Sequence, residues 1–206
     1  NKEVEVSSLE VSDGRFTEDL AVDGIVSSDS RVSFGKTADE QWLLVDLGEV
    51  KTISDFVLNY ESQVPKYKIQ VSEDGEIYTD VYSFEDQSYA SLSKAAPGVQ
   101  EVSVDPVKAR YVKYVQLQRW KNTGNGQSYS GSLYEFEVYA APNAELREYA
   151  QAALDELMKY EGGTHNGNVE EGFYNSLKDT LENYLAMTED GNGTLYTSDA
   201  ADNGVG

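Results

Sequence analysis

Short runs in which hydrophobic and polar residues alternate fill the chain as far as Ala141. They are rich in Val, Ile and Tyr and are separated by Asp-Gly pairs and prolines, which is typical of strands joined by turns. Alternation of period two places every second side chain on one face of a strand. The clearest runs predict these core side chains: Tyr67, Ile69, Val71, Tyr134, Phe136 and Val138. No helical pattern lies between the runs, so the sequence predicts an all-β sandwich and not a parallel α/β sheet.

The period of the hydrophobic residues changes after Ala141. Two stripes of helical spacing predict a hairpin of two helices over residues 142–190. In the first helix Asn143 is expected to be the N-cap, and Gly162 with Gly163 the end. Its predicted inward stripe consists of Leu146, Tyr149, Ala153, Leu157 and Tyr160.

The second helix is expected to begin at Asn168, with Glu171 as the partner in a capping box. Its predicted inward stripe consists of Phe173, Leu177, Leu181, Tyr184 and Met187. Two helices with one apolar face each bury little surface alone, so we expect the pair to pack on another part of the polypeptide or on a partner. Residues 191–206 show no periodicity, and a disordered tail is predicted there.

Charge and composition exclude several classes of function. The formal charge of −21 disfavours nucleic acids and anionic membranes as partners, and we expect no membrane insertion. Cysteine is absent, so thiolate zinc sites and cysteine nucleophiles are excluded. The single histidine, His165, lies in a glycine-rich turn, and no catalytic motif accompanies it, so an enzyme is not predicted. The chain starts without methionine and carries no signal peptide or apolar span, from which we expect a fragment of a larger protein.

Six segments follow one another in an order that carries a family resemblance: LAVDG, SRVSF, QWLLVDLG, YKIQVSEDG, ARYVKYVQLQ and SLYEFEVYA. Over residues 5–140 this order resembles the discoidin or coagulation factor 5/8 type C superfamily, and within it carbohydrate-binding module family 32. The resemblance implies an eight-stranded jelly-roll sandwich over residues 1–141, followed by the helical hairpin. One departure is Val32, where the family usually has tryptophan. The hairpin resembles the small three-helix modules of the same secreted enzymes, with only two helices present.

The resemblance also implies a structural calcium ion near the ends of the first and last strands. By motif its ligands are Asp23, Ser30 and Glu135, with carbonyl oxygens of residues 26–30, and Asp29 as a further candidate. Calcium prefers six to eight oxygen ligands, which a loop of carbonyls closed by carboxylates supplies. The alternative is that Asp23 forms an ordinary Asp-Gly turn and that Glu135 is an exposed strand residue.

A sugar site needs an exposed aromatic ring and a few fixed polar groups. Trp42 lies in the apolar run QWLLVDLG and is expected in the core. Trp120 opens the polar loop before the last strand, and we expect a sugar platform, a packing anchor or a contact to the helices. The resemblance adds Tyr129, Asn59 and Glu61 as candidate contacts, each of which has exposed loop polarity or packing as its alternative. Further candidates next to Trp120 are Arg119, Lys121 and Asn122.

The resemblance implies a non-catalytic carbohydrate-binding module of a secreted bacterial glycoside hydrolase. Galactose- or N-acetylgalactosamine-bearing glycans are the expected ligands, and other modules of the same polypeptide the expected neighbours. We expect a secreted or cell-surface location. The alternative is a protein-interaction or adhesion module in which the sandwich serves as scaffold.

Overall fold

A computed structural model describes residues 2–141, 144–159 and 171–186 of the 206-residue chain. The described residues form two compact units, a β-unit up to Ala141 and a helical unit after it. Ten strands lie in the β-unit: β1 (Glu3–Val6), β2 (Val32–Ser33), β3 (Gln41–Ser62), β4 (Lys66–Ser72), β5 (Thr79–Glu85), β6 (Ser91–Leu92), β7 (Gly98–Gln118), β8 (Trp120–Asn122), β9 (Ser128–Tyr129) and β10 (Ser132–Ala140). Two short 3-10 helices accompany them, Glu18–Val22 and Gln87–Tyr89.

Strands β3 and β7 are long enough to take part in two layers. Residues 41–46 of β3 pair with β1 and with residues 111–116 of β7, and β7 continues the same layer into β4 and β5. Residues 53–60 of β3 pair with β10 and with residues 98–107 of β7 in the second layer. All these pairings are antiparallel. Five segments form one layer and three the other, as in the predicted eight-stranded sandwich, and the two-residue strand β2 pairs with β10 at the edge of the second layer.

The two layers meet in an aromatic core. Tyr114 of the first layer lies with its ring centroid 6.3 Å from that of Tyr60 and 6.4 Å from that of Phe136, both in the second layer. Tyr67 contacts Tyr114 at 5.2 Å within the first layer. Burial of such rings supplies much of the stabilisation of a sandwich, at about 25 cal/mol per Å² of apolar surface. Burial also raises the pKa of Tyr60, Tyr67 and Tyr114 above the ordinary value.

Of the six core residues predicted from the alternation, five are confirmed and one, in β10, is not. Those that are buried are Tyr67, Ile69, Val71, Phe136 and Val138. Tyr134 is only half-buried, so its prediction is wrong. The register of β10 against β3 shifts between Leu133 and Glu135, and Leu133 takes the inward position opposite Tyr60. A bulge of this kind interrupts the alternation on which the prediction relied.

The prediction that Trp42 belongs to the core is also wrong. Trp42 is half-buried, and it alternates along β3 with the buried residues Gln41 and Leu43. The ammonium of Lys113 lies 4.7 Å from its ring centroid. The run QWLLVDLG therefore has two apolar faces, of which only one contacts the core.

The helical unit contains α1 (Ala144–Met158) and α2 (Glu171–Ala186), as predicted. The helices contact each other, since Arg147 Nη2 donates to the carbonyl of Leu185 over 2.7 Å. The Tyr174 hydroxyl lies 3.7 Å from Met158 Sδ. Neither helix within these described ranges is long and apolar enough to cross a membrane.

The predicted stripe of α1 is wrong by about one position. Leu157 is buried, but Leu146 and Tyr149 are 57% and 74% exposed, and Ala150 is buried instead. In α2, Leu181 is half-buried and Leu177 is 36% exposed. The remaining predictions for this region lie outside the described residues or side chains: Asn143, Tyr160, Gly162, Gly163, His165, Asn168, Glu171, Phe173, Tyr184, Met187 and residues 191–206.

Candidate functional site

A cleft of about 280 Å³ opens at one end of the β-unit. Its volume is close to the lower limit of small-molecule sites, which are about 300–1,000 Å³. The lining comes from the loop around β2, the end of β3, the segment before β7 and the β8–β9 hairpin. The lining residues are Glu10, Arg31, Phe34, Lys36, Glu61, Ser62, Ala95, Trp120, Asn122, Tyr129, Ser130 and Ser132. Four of the seven candidate sugar contacts predicted from the sequence are among them.

The aromatic part of the cleft is a stack of two rings. Antiparallel pairing of β8 with β9 sets Trp120 opposite Tyr129, and their ring centroids lie 5.2 Å apart with an interplanar angle of 27°. Trp120 is only 4% exposed, whereas Tyr129 is half-buried. Trp120 is therefore the packed base of the stack. The ring that reaches the surface of the cleft is Tyr129.

The turn between β8 and β9 fixes the position of Tyr129. Asn122 Oδ1 accepts hydrogen bonds from the backbone N–H groups of Gly124 at 2.8 Å and Asn125 at 3.2 Å. Asn125 Nδ2 donates to the Tyr129 hydroxyl at 2.9 Å, and this hydroxyl donates to Gln127 Oε1 at 3.0 Å. The Asn122 amide thus orders the turn, and two hydrogen bonds fix the position of the Tyr129 hydroxyl.

Several polar groups at the cleft have no partner within the described part of the chain. Ser62 Oγ and Trp120 Nε1 are buried without a hydrogen bond. Glu61 lines the cleft, and no described residue forms a hydrogen bond or ion pair with its carboxylate. Because buried polar groups in native proteins are nearly always satisfied, Ser62 Oγ and Trp120 Nε1 indicate a site completed by water or a ligand, and the half-buried Glu61 adds a carboxylate to it.

Two basic side chains line the same cleft and are already engaged. Lys36 Nζ lies 2.5 Å from Glu10 Oε1 and 5.0 Å from the centroid of the Tyr129 ring. Arg31 lies over the Phe16 ring, with its guanidinium carbon 3.7 Å from the centroid. It also donates to the carbonyl of Ser28. The cleft therefore combines opposite charges, and the Glu61 carboxylate is the acidic group there that has no ion-pair partner within the described ranges.

The other predicted sugar contacts lie elsewhere. Asn59 is opposite Glu135 in the middle of the second layer and does not line the cleft. Arg119 Nε donates to Asp39 Oδ1 at 3.0 Å and its guanidinium also bonds to the carbonyl of Lys36. The Arg119 guanidinium holds the pKa of Asp39 below its ordinary value. Lys121 is exposed next to Trp120, also outside the lining.

The predicted calcium ligands form a second cluster. Backbone N–H groups of Gly24 and Ile25 donate to Glu135 Oε1 at 2.6 and 3.2 Å. The hydroxyl of Ser30 bonds to Asp23 Oδ2, and Ile25 N–H donates to Asp23 Oδ1 at 2.8 Å. Glu135 is 1% exposed, so it is not the exposed strand residue of the alternative interpretation.

The state of Glu135 indicates that a cation suits this cluster. Burial, and then the neighbouring Asp23 carboxyl, raise the pKa of Glu135 to about 8. Glu135 Oε2 is buried and has no hydrogen-bond partner among the described residues. A cation would take up this oxygen and offset the repulsion between the two carboxylates. The donor set of two carboxylates and a hydroxyl fits calcium, which prefers oxygen ligands.

Asp29 does not join this set, since it is exposed and forms no hydrogen bond to the cluster. No group of three or more His, Cys, Asp or Glu residues able to hold a metal occurs in the described ranges. The remaining ligands of a calcium ion would therefore be carbonyl oxygens and water.

The sequence profile of the F5/8 type C domain family matches residues 3–132. A segment of the polysaccharide lyase 8 family protein HylA from Enterococcus faecalis is 41% identical over 125 residues, which cover 61% of this chain and 8% of that protein. Chitosan-binding module 2 of a chitosanase/glucanase from Paenibacillus sp. IK-5, solved with chitotriose, is 29% identical, with a TM-score of 0.54 over 68% of this chain and 97% of the module. The family 32 module of NanJ from Clostridium perfringens, solved with galactose, has a TM-score of 0.50 at 20% identity, over 66% of this chain and 91% of that one.

Proposed function

Because the chain belongs to the F5/8 type C domain family, we propose that it is a non-catalytic carbohydrate-binding module and that its cleft at Tyr129 binds the glycan. The observation that supports this most directly is the combination of an accessible ring with polar groups that lack partners. A pyranose ring stacks its C–H groups on an aromatic face, while its hydroxyls need donors and acceptors. Tyr129 offers the face, and Glu61 and Ser62 offer the polar atoms.

We propose galactose- or N-acetylgalactosamine-bearing glycans as ligands. Glucosamine oligomers are the second candidate ligands. They are included because the chitosan-binding relative is more similar to this chain in sequence than the galactose-binding relative is. The Glu61 carboxylate, which has no partner among the described residues, suits either a hydroxyl or an ammonium group of such a sugar. For a small open cleft we expect a Kd of about 0.1–1 mM, equivalent to about −5.5 to −4 kcal/mol.

The proposed role is to hold a larger polysaccharide-degrading enzyme on its substrate. This chain corresponds to a small part of the curated relative that it matches, so the activity of the larger protein is itself a proposal. A glycoside hydrolase is expected from the sequence, and the match to a lyase extends this to polysaccharide lyases. We propose a secreted or cell-surface bacterial enzyme, in which this chain acts with other modules of the polypeptide.

We further propose that calcium binds at Asp23, Ser30 and Glu135 and stabilises the β-unit. The unpartnered Glu135 Oε2 and the raised pKa of this carboxyl support the proposal. The ion would link the loop after the first 3-10 helix to β10, and its contribution would be to folding.

The proposed function is tested by titrating wild type and Tyr129→Ala with galactose, N-acetylgalactosamine, and glucosamine oligomers, after a glycan array. Tyr78→Ala, at a half-buried tyrosine outside the cleft, is the matched control. We expect binding that Tyr129→Ala weakens at least about tenfold and that Tyr78→Ala leaves unchanged. If no glycan binds, the sandwich is better explained as a scaffold for protein interaction or adhesion.

A further inference from the structure

The Tyr129 ring, proposed as the sugar platform, has protein side chains over it, Trp120 and Lys36. Trp120 stacks on Tyr129 from within the cleft wall. The Lys36 ammonium lies over the same Tyr129 ring, 5.0 Å from its centroid. Since Trp120 occupies one face of the ring, a sugar has only the other face on which to stack.

The position of Lys36 is fixed by an ion pair. Its Nζ lies 2.5 Å from Glu10 Oε1, and both residues line the cleft. The side chain of Lys36 is 43% exposed and that of Glu10 is 27% exposed, so the pair stands in partial contact with solvent. Ion pairs and cation–π contacts that are open to solvent each contribute little to stability, so ligand binding is able to displace them.

Resting on the proposed function, we infer that Lys36 determines the affinity of the cleft by competing with the sugar for Tyr129. The free cleft holds the ammonium on the ring through Glu10. A neutral glycan stacks on Tyr129 only after the Lys36 side chain has turned away, and its binding energy is reduced by the contacts that are lost.

Competition by Lys36 and a direct contact between Lys36 and the ligand predict opposite changes in glycan affinity when Lys36 is replaced. Removal of the ammonium should strengthen binding of a neutral sugar, because the ring is then free before the ligand arrives. Salt should act in the same direction, since it screens the Lys36–Glu10 pair but not stacking of a neutral sugar.

The test is a calorimetric titration of the full 206-residue chain with the best neutral glycan from the array. Wild type is compared with Lys36→Met, which keeps the length of the side chain, and with Glu10→Gln, which removes only the anchor. Lys68→Met is the matched control, because Lys68 forms an ion pair with Asp80 at 3.0 Å outside the cleft. The bond from Arg119 to the backbone carbonyl of Lys36 does not depend on the side chain and is kept in the variant.

We expect Lys36→Met to bind about three- to tenfold more tightly than wild type, Glu10→Gln to change in the same direction by less, and Lys68→Met to be unchanged. Wild-type affinity should increase between low and high salt, and this increase should disappear in Lys36→Met. Weaker or unchanged binding by Lys36→Met would overturn the inference, because Lys36 would then contact the ligand or leave it unaffected. Absence of glycan binding by all variants would instead overturn the proposed function.

Discussion

Glu135 allows a quantitative prediction, because a carboxyl with a raised pKa makes stability depend on pH in an unusual direction. In the unfolded chain this group has a pKa near 4.5, and in the folded chain about 8. Between these values the unfolded carboxyl is ionised while the folded one holds its proton. The folded state therefore binds more protons, and the free energy of unfolding must fall as the pH rises from about 5 to 8.

The magnitude follows from the same two values. A difference of this size at about 1.4 kcal/mol per pH unit corresponds to a loss of about 3–5 kcal/mol in the metal-free protein. This is a large part of the stability of a domain, which is typically about 5–15 kcal/mol. Calcium binds the ionised carboxylate, so saturating calcium should restore most of the lost free energy of unfolding. The difference in stability with and without calcium should therefore be largest at the higher pH.

Urea denaturation with a chelator, and again with calcium, measures both effects at several pH values. Glu135→Gln is the matched variant, because glutamine keeps an acceptor for the N–H groups of Gly24 and Ile25 but does not ionise. It should be insensitive to pH in this range and more stable than metal-free wild type at pH about 8. It should gain no stability from calcium.

The reasoning is refuted if metal-free wild type keeps its stability, or gains it, through this range. It is also refuted if Glu135→Gln shows the same pH dependence as wild type. The predicted fall in stability together with no effect of calcium would support the buried, protonated carboxyl and reject the metal site.

Three further predictions concern stability and ionisation. A Cβ at Gly131 would lie 2.9 Å from Val64 Cγ1, so Gly131→Ala should lose about 1–3 kcal/mol, and urea denaturation with an unchanged midpoint would contradict this. Trp120→Ala should lose about 3–5 kcal/mol, because the indole is 4% exposed, and its weaker glycan binding should be accompanied by lower thermal stability. The protein has 15 tyrosines, and in a spectrophotometric alkaline titration three of them should ionise only when the protein unfolds, namely Tyr60, Tyr67 and Tyr114. Ionisation of all 15 in the native protein would rule out the packed core described above.

The sandwich could be predicted from the sequence because each strand repeats one local rule, a buried side chain at every second position. The rule gives a wrong prediction where a bulge interrupts the alternation. The bulge between Leu133 and Glu135 reverses the faces at Tyr134, and no residue pattern in the run indicates it. The prediction for Trp42 is wrong for another reason. The sequence does not distinguish an apolar side chain on the outer face of β3 from one on the inner face.

The site was predictable to the extent that its residues lie in recognisable segments. Trp120, Asn122 and Tyr129 belong to one loop, and Glu61 ends a strand of the family pattern, so all four were anticipated. Lys36 and Glu10 were not, because they reach the cleft from distant parts of the chain and have no chemical signature. A local pattern does not contain the long-range pairing that brings such residues together.

The passage of β3 and β7 through both layers has a kinetic consequence. Gln41 pairs with Gln116 in one layer and Tyr60 with Gly98 in the other, so both layers contain the pairing of β3 with β7. Contacts between residues so far apart in sequence give a high contact order, for which β-sandwiches typically fold in milliseconds to seconds. We therefore expect the formation of this one strand pair to limit the folding rate of the whole β-unit, and substitutions along it to slow refolding more than substitutions in β1 or β5.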